Sequence, residues 1–584
     1  MKFFKTVLAV LVGIILFNIL AIFVLFPLLG SLGKEKEIKV KSNAILYLRL
    51  DGDVAEIAND MPIEMPVELP VAQAEAKVGL QKLIAVINKA AEDKNIKGIL
   101  LYTDNMTAST ASVMQIAKAL ENFKSKNKLL YAYSSSLKEN NWLLNKVCTK
   151  CYLNPVGQVE FNGYGMELTY FTGLLEKLGV QPEIFYAGNF KSATESFRLK
   201  AMSEENRLQL NELLTDIYGN YIQAFSKYSG IPNDSLITLA NTLSVVEPAD
   251  ALKYKMVDGL KYEDEVWEEL KSKLGYKKSD KINLETYKNY VTTLPKPKST
   301  SNVIAVLAAE GTIVDGKGEK GTISEKEYLQ LLKDIKDNKD VKALVLRINS
   351  PGGSAYTSEQ IWYQLQEIKK RIPIVVSMGD LAASGGYYIA TPANKIFANA
   401  NTITGSIGAF GMMFNVGDAA NQKLGITFDR VGTGPYADFG SSTRAWTDRE
   451  KEVMNASINN VYTLFKSRVS KGRNLSMEQV EALAQGRIWS GQDAKTLHLV
   501  DELGDLQDAI NEAKKLAKLD SPTYVNYPEE KTFFEKFVVS MSQNDETEMM
   551  KSILGENYFL LKNIKNYKNQ STIQTLMPFS VEVY

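Results

Sequence analysis

The sequence predicts an α/β protein in which one domain plan is used twice, each copy built on a largely parallel sheet. Three observations carry that prediction. Short apolar runs such as Val303 to Leu307, Leu344 to Ile348 and Ile374 to Ser377 alternate with amphipathic helical stretches, the order expected of parallel strands joined by crossover helices. The chain also matches itself at long range: Ile96-Lys97-Gly98-Ile99-Leu100-Leu101 resembles Val341-Lys342-Ala343-Leu344-Val345-Leu346, an offset of 245 residues. The offset persists at Lys150 with Lys395 and Gly163 with Gly408, becomes 246 at Lys177-Leu178-Gly179 with Lys423-Leu424-Gly425, and is 243 at Val257-Asp258 with Val500-Asp501. A period this long denotes tandem domains rather than a solenoid. Finally, 584 residues with 45% hydrophobic and 23% charged side chains suffice for two cores.

Taken from the amino terminus, Val7 to Leu29 is apolar apart from Gly13, Asn18 and Pro27. At about 1.5 Å per residue it is long enough to cross a ~30 Å hydrocarbon layer, and residues 1–33 are read as an uncleaved transmembrane anchor. Gly30-Ser31-Leu32-Gly33 matches a small-x-small cleavage site poorly. Lysines lie on both sides of the segment, so counting positive charges does not orient it. The first repeat is placed at 43–274 and the second at 301–519. Between them, residues 275–300 with Pro295 and Pro297 read as a linker. Residues 520–584 form an extension that matches nothing recognisable.

Composition excludes several chemistries. Lys+Arg and Asp+Glu both total 68, so no summed field favours nucleic acid. Cys148 and Cys151 are too few for a disulfide framework or a four-ligand zinc site, and read as buried small residues in a strand. The single histidine, His498, lies in the apolar stretch Leu497-His498-Leu499-Val500 and reads as a packed, hydrogen-bonded side chain. Ser-His and Cys-His catalysis both require imidazole. A hydrolase built on this chain therefore needs another base.

Comparing the halves shows what each has lost. The second repeat carries Asn349-Ser350-Pro351-Gly352-Gly353-Ser354 where the first has Asp104-Asn105-Met106-Thr107-Ala108-Ser109, and Ala383-Ser384-Gly385-Gly386-Tyr387 where the first places Glu139-Asn140-Asn141-Trp142 opposite Ser384 to Tyr387. Conversely, the first carries Phe190-Lys191-Ser192 where the second has Tyr436-Ala437-Asp438. One half thus keeps a serine and a glycine pair, and the other keeps a lysine. A single composite site is expected, with the contact inside one chain or between chains left open.

Ser384 is the expected nucleophile, in a glycine turn ahead of a helix whose free amides favour developing negative charge. Gly352, Gly353 and Gly385 are candidate N–H donors to an oxyanion. Lys191 is the candidate general base. Its amine, with an ordinary pKa of ~10.4, must be uncharged near neutrality, at a cost of roughly 4 kcal/mol that burial between domains would supply. Ser406, in Thr404-Gly405-Ser406-Ile407-Gly408, is a candidate to hold that amine, though Thr-Gly-Ser is also ordinary turn chemistry.

At these residues, and at Met378 to Tyr387, Thr391-Pro392-Ala393-Asn394 and Trp489 to Ala494, the chain resembles signal peptide peptidase A (protease IV) of the long, duplicated bacterial kind, over nearly all of residues 1 to 520. The resemblance implies two tandem Clp protease/crotonase-like domains, a Ser/Lys dyad carried onto Ser384 and Lys191, no cofactor, and a ring-shaped homotetramer. It also implies hydrolysis of hydrophobic membrane-derived peptides, cleaved signal peptides above all, on the periplasmic side of a bacterial inner membrane. Two rivals stand beside it: a crotonase-like acyl-CoA enzyme, which would use the same backbone donors, and an inactive membrane scaffold that binds peptides.

Overall fold

A computed structural model describes residues 39–56, 78–295, 301–319, 321–528 and 573–577. The anchor segment Val7 to Leu29 lies outside them. Among the described residues, no helix is long and apolar enough to cross a membrane.

Two sheets repeat one plan. The first runs, in order, Leu284–Thr286, Ala44–Arg49, Ile96–Tyr102, Leu129–Leu137, Lys150–Val159 and Gly259–Leu260, each neighbouring pair parallel. The second begins the same way, with Thr523–Tyr527, Val303–Glu310, Val341–Ser350 and Ile374–Ala383. It then forks: Lys395–Ala398 leads to Glu502–Leu503, and Ile403–Gly405 to the antiparallel Ile488–Ser490. Strands Ile96–Tyr102 and Val341–Ser350 are buried on both faces, which is why they read as continuous apolar runs instead of alternating ones.

Small devices recur at equivalent places. Cys151 N–H donates to the Asp258 carboxylate at 2.9 Å while Asp258 N–H returns to Cys151 O at 2.8 Å; Ile396 and Asp501 repeat the exchange at 2.7 and 3.0 Å. Ser109 and Ser354 each cap the helix that follows, accepting from Ser112 N–H and Thr357 N–H. Local chemistry thus reproduces the same corners in both halves.

The boundaries drawn from sequence are corrected at two places. Residues 275–300, a linker by sequence pattern, include the strand Leu284–Thr286 beside Ala44–Arg49, and the buried Tyr290 joins the first core. Residues 520–584, an extension by sequence pattern, include Thr523–Tyr527, the matching strand beside Val303–Glu310. In both halves this edge strand is short and partly polar, so its pattern resembles a loop. Pairing with an already formed sheet edge, not its own apolar content, makes it a strand.

Two of the contacts between the halves bear on the site. A third sheet pairs the first-half strand Gln181–Ala187 with the second-half strand Ala409–Asn415 in antiparallel register, Ala187 opposite Ala409. In addition, the Arg347 guanidinium on the strand Val341–Ser350 meets the Glu56 carboxylate of the first half, with both side chains only 2–3% exposed. Arg347 also donates to Ser377 Oγ and Met378 O at 2.8 Å each, and Ser112 Oγ donates to Asp380 at 2.8 Å. Loss of either partner would leave a buried charge uncompensated, so this cluster ties the first half to the second-half strands Val341–Ser350 and Ile374–Ala383.

The cysteines and the histidine are also placed. Both thiols are free and buried, and burial raises them, Cys151 to about 12. Cys151 lies in a strand as expected, but Cys148 caps the helix Asn141–Val147. His498 is corrected: it is exposed, with φ 61°, just past the helix Gly491–Thr496. Its apolar neighbours Leu499 and Val500 turn inward, and the left-handed turn sends the imidazole out.

Candidate active site

Ser384 follows the strand Ile374–Ala383 and precedes the helix Gly385–Ala390. Its backbone has φ 55° and ψ −116°, a costly conformation for a residue with a Cβ, held by Ser384 N–H donating to Gly405 O at 2.8 Å. Glycines let the turn close. A Cβ on Gly386 would sit 2.7 Å from Ser350 O, and one on Gly385 would sit 2.8 Å from Ser358 Oγ.

Lys191 leaves the strand Gln181–Ala187 through a tight turn in which Lys191 N–H donates to Gly188 O. It is fully buried. Its Nζ lies 2.9 Å from Ser384 Oγ, 2.9 Å from Ser406 Oγ and 3.1 Å from Ser406 O. Burial alone drives its pKa well below the ordinary value, since no carboxylate opposes the desolvation. A neutral amine has two N–H donors and one lone pair, and three partners surround it. Donation to the two Ser406 oxygens leaves the lone pair to accept the Ser384 hydroxyl proton. Lys191, Ser384 and Ser406 thus meet within one chain, across the seam between the halves.

The glycine donors need one correction. Gly352 N–H is engaged by Ser350 Oγ at 3.1 Å and is not free for an oxyanion. Gly352 contributes by lacking a side chain: with φ 94°, a Cβ there would lie 2.6 Å from Gly385 N. Gly385, first in its helix, has an N–H without a partner inside that helix, and Gly353 lies one residue along the strand Gly352–Ser354. These two remain the donor candidates.

Sequence reading missed the residues that hold Lys191. Gln209, 1% exposed on the helix Glu204–Ser229, donates to Phe190 O and Ser192 Oγ at 3.2 Å each and accepts from Ile488 N–H at 3.3 Å. It clamps both sides of the lysine to the second half. Gly486, φ 77°, lets the chain cross Lys191, whose Cβ would be 2.6 Å from a Cβ placed there. The available signal was a polar residue at a buried helical position, which the repeat comparison does not flag.

In the first half, the position opposite Ser384 holds Glu139. It is buried, accepts from Asn162 N–H and Gly163 N–H at 2.8 and 3.3 Å, and is pushed up to about 7 by desolvation. Since an unfolded glutamate titrates near ~4.3, the folded chain holds a proton between those values that the unfolded chain has released. Stability therefore falls as pH rises through that window. Glu139→Gln is expected to raise the melting temperature at pH 8 and change it little at pH 4; an increase equal at both values would contradict the assignment.

Fold and site together define a serine peptidase, and comparison with known proteins is more specific. The model of peptidase family S49 matches residues 122–277 and 366–520, and that of Clp protease matches 296–404. Protease 4 of Salmonella typhi is 35% identical over 79% of this chain and 75% of its own length. Protease 4 of Haemophilus influenzae is 33% identical over 90% and 86%, and the chloroplastic serine protease SPPA of Arabidopsis thaliana 29% identical over 82% and 70%. The chain belongs to peptidase family S49, of the protease IV (signal peptide peptidase A) kind, with two tandem domains of Clp protease-like fold.

Proposed function

We propose that this chain is a membrane-anchored endopeptidase that degrades cleaved signal peptides and other hydrophobic peptides through a Ser384/Lys191 dyad. The observation that carries this reading is the approach of Lys191 Nζ to 2.9 Å from Ser384 Oγ in a buried site where no carboxylate holds the amine charged. Ser384 Oγ attacks the scissile carbonyl as its proton passes to Nζ, and the oxyanion is received by the Gly385 and Gly353 N–H groups. Nζ–H⁺ then protonates the leaving amine. Water, deprotonated by the same amine, releases the acyl group from Ser384.

The anchor is residues 1–33, with the body on the periplasmic side of a bacterial inner membrane. The functional unit is a ring of four. Repetition supports it: the counterpart of Gln181–Ala187 in the second half is the segment 427–433, which is exposed, forms no strand and leaves Phe428 and Val431 in solvent. A neighbouring chain's first half would cover it by the contact already used inside the chain, a head-to-tail contact that forms a ring when the rotation between copies closes.

The test uses full-length protein in detergent. A fluorophosphonate probe is expected to label it, and a synthetic signal peptide to be cleaved, with acyl-CoA thioesters untouched. Thioester turnover without labelling would instead establish the crotonase-like reaction, and neither activity would leave the peptide-binding scaffold.

A further inference from the structure

Residues Ile573–Leu576 form a strand inserted between Gly352–Ser354 and Ala409–Asn415, antiparallel to both. Leu576 opposes Gly352, Thr575 opposes Gly353, and Gln574 opposes both Ser354 and Phe410. Beyond the strand, Met577 N–H donates to Pro351 O at 2.6 Å. A Cβ on Gly352 would sit 2.1 Å from the Thr575 carbonyl oxygen, so a peptide carbonyl lies against Gly352, beside the donor candidate Gly353 that Thr575 opposes. Met577, 3% exposed, fills an apolar cluster walled by Leu210, Leu213 and Ile217 of the first half and Ala383, Ile403 and Ile488 of the second.

Two consequences follow from this placement. Ser384 and Lys191 are both 0% exposed, although a nucleophile that cleaves peptides must be reached by one. Its neighbours Ala383 and Gly385 are the residues against which Met577 and Thr575 pack. Moreover, a segment that adds itself between two strands, takes main-chain hydrogen bonds and drops an apolar side chain into a pocket binds as an extended peptide ligand does. Residues 573–577 carry no charged side chain, which suits such a cleft.

We propose that Ile573–Met577 is a tethered substrate mimic: the chain's own C-terminal segment occupies the substrate cleft, and a peptide substrate must displace it. The proposal rests on the reading of Ser384 as nucleophile, and it names the substrate class as extended, uncharged peptides with a long apolar side chain at the place Met577 takes. Tethering gives the segment an effective concentration on the order of millimolar, enough to compete with weakly bound peptides.

The test compares full-length wild type with Met577→Glu on a short, uncharged fluorogenic peptide. A cleft about 90% occupied by its own tail raises KM roughly tenfold, so the variant is expected to show KM about tenfold lower at unchanged kcat. A synthetic acetyl-Ile-Gln-Thr-Leu-Met-amide should inhibit the variant competitively, and the same peptide ending in Glu should not. Equal KM in the two proteins would overturn the proposal. So would a variant with lower kcat and lower melting temperature, which would make the strand a structural wall, or a wild-type KM that falls on dilution, which would assign the strand to a second copy. Both proteins keep Ser384 and Lys191, so absent turnover in both would remove the catalytic reading and this proposal with it.

Discussion

Replacing Ser384 with alanine is expected to lower kcat/KM for peptide hydrolysis by about 10⁴-fold or more and to abolish fluorophosphonate labelling, with the melting temperature nearly unchanged. The change removes a single atom, Oγ. The backbone at φ 55° is equally strained for alanine, and the bond from the residue's N–H to Gly405 O remains. Any residual rate would come from the Gly353 and Gly385 donors acting on a water molecule, as donors retain some catalysis when a nucleophile is lost. Retained labelling at another serine, with wild-type turnover, would remove Ser384 from the mechanism.

Lys191→Met is expected to abolish turnover to a similar extent while raising stability near neutral pH. Burial depresses the folded-state pKa of Lys191, whereas the unfolded lysine keeps its ordinary value of ~10.4. Between those two values the unfolded chain binds a proton that the folded chain does not, so stability rises with pH across that window. Lysine at 191 therefore withdraws stability from the folded state at pH 7. Methionine, with similar volume and no charge to lose, restores it, and the gain should shrink as pH approaches ~10. The same titration governs activity: wild-type kcat/KM should fall on the acid side as Nζ takes up a proton. Thermal melts across pH, set beside kcat/KM profiles, check both; a flat acid limb or an active Lys191→Met variant would exclude the amine as base.

Much of this is legible in the sequence, for particular reasons. Strands buried on both faces, such as Val341–Ser350, announce themselves as apolar runs, and glycine turns such as Ser384-Gly385-Gly386 mark places where a side chain would collide. Duplication added a control within one chain, because a residue kept in one half and lost in the other is visible by subtraction. That comparison singled out Ser384 and Lys191. It was silent on Gln209, whose value lies in reaching Phe190, Ser192 and Ile488 at once, and on Ile573–Met577, whose uncharged five residues resemble any short strand until Gly352 and Phe410 flank them. It also assigned Gly352 a donor role that Ser350 Oγ had already taken.

By itself, then, the amino-acid order determined the doubled α/β plan, the absence of a catalytic imidazole, and which serine and lysine were available. Only the folded chain decided that an amine and a hydroxyl 193 residues apart in sequence lie 2.9 Å apart, that both are buried, and that the strand Ile573–Leu576 inserts between Gly352–Ser354 and Ala409–Asn415. The reason is that a pKa and a reachable nucleophile depend on which distant atoms displace solvent. Propensity and periodicity are properties of neighbours along the chain and carry no record of that displacement.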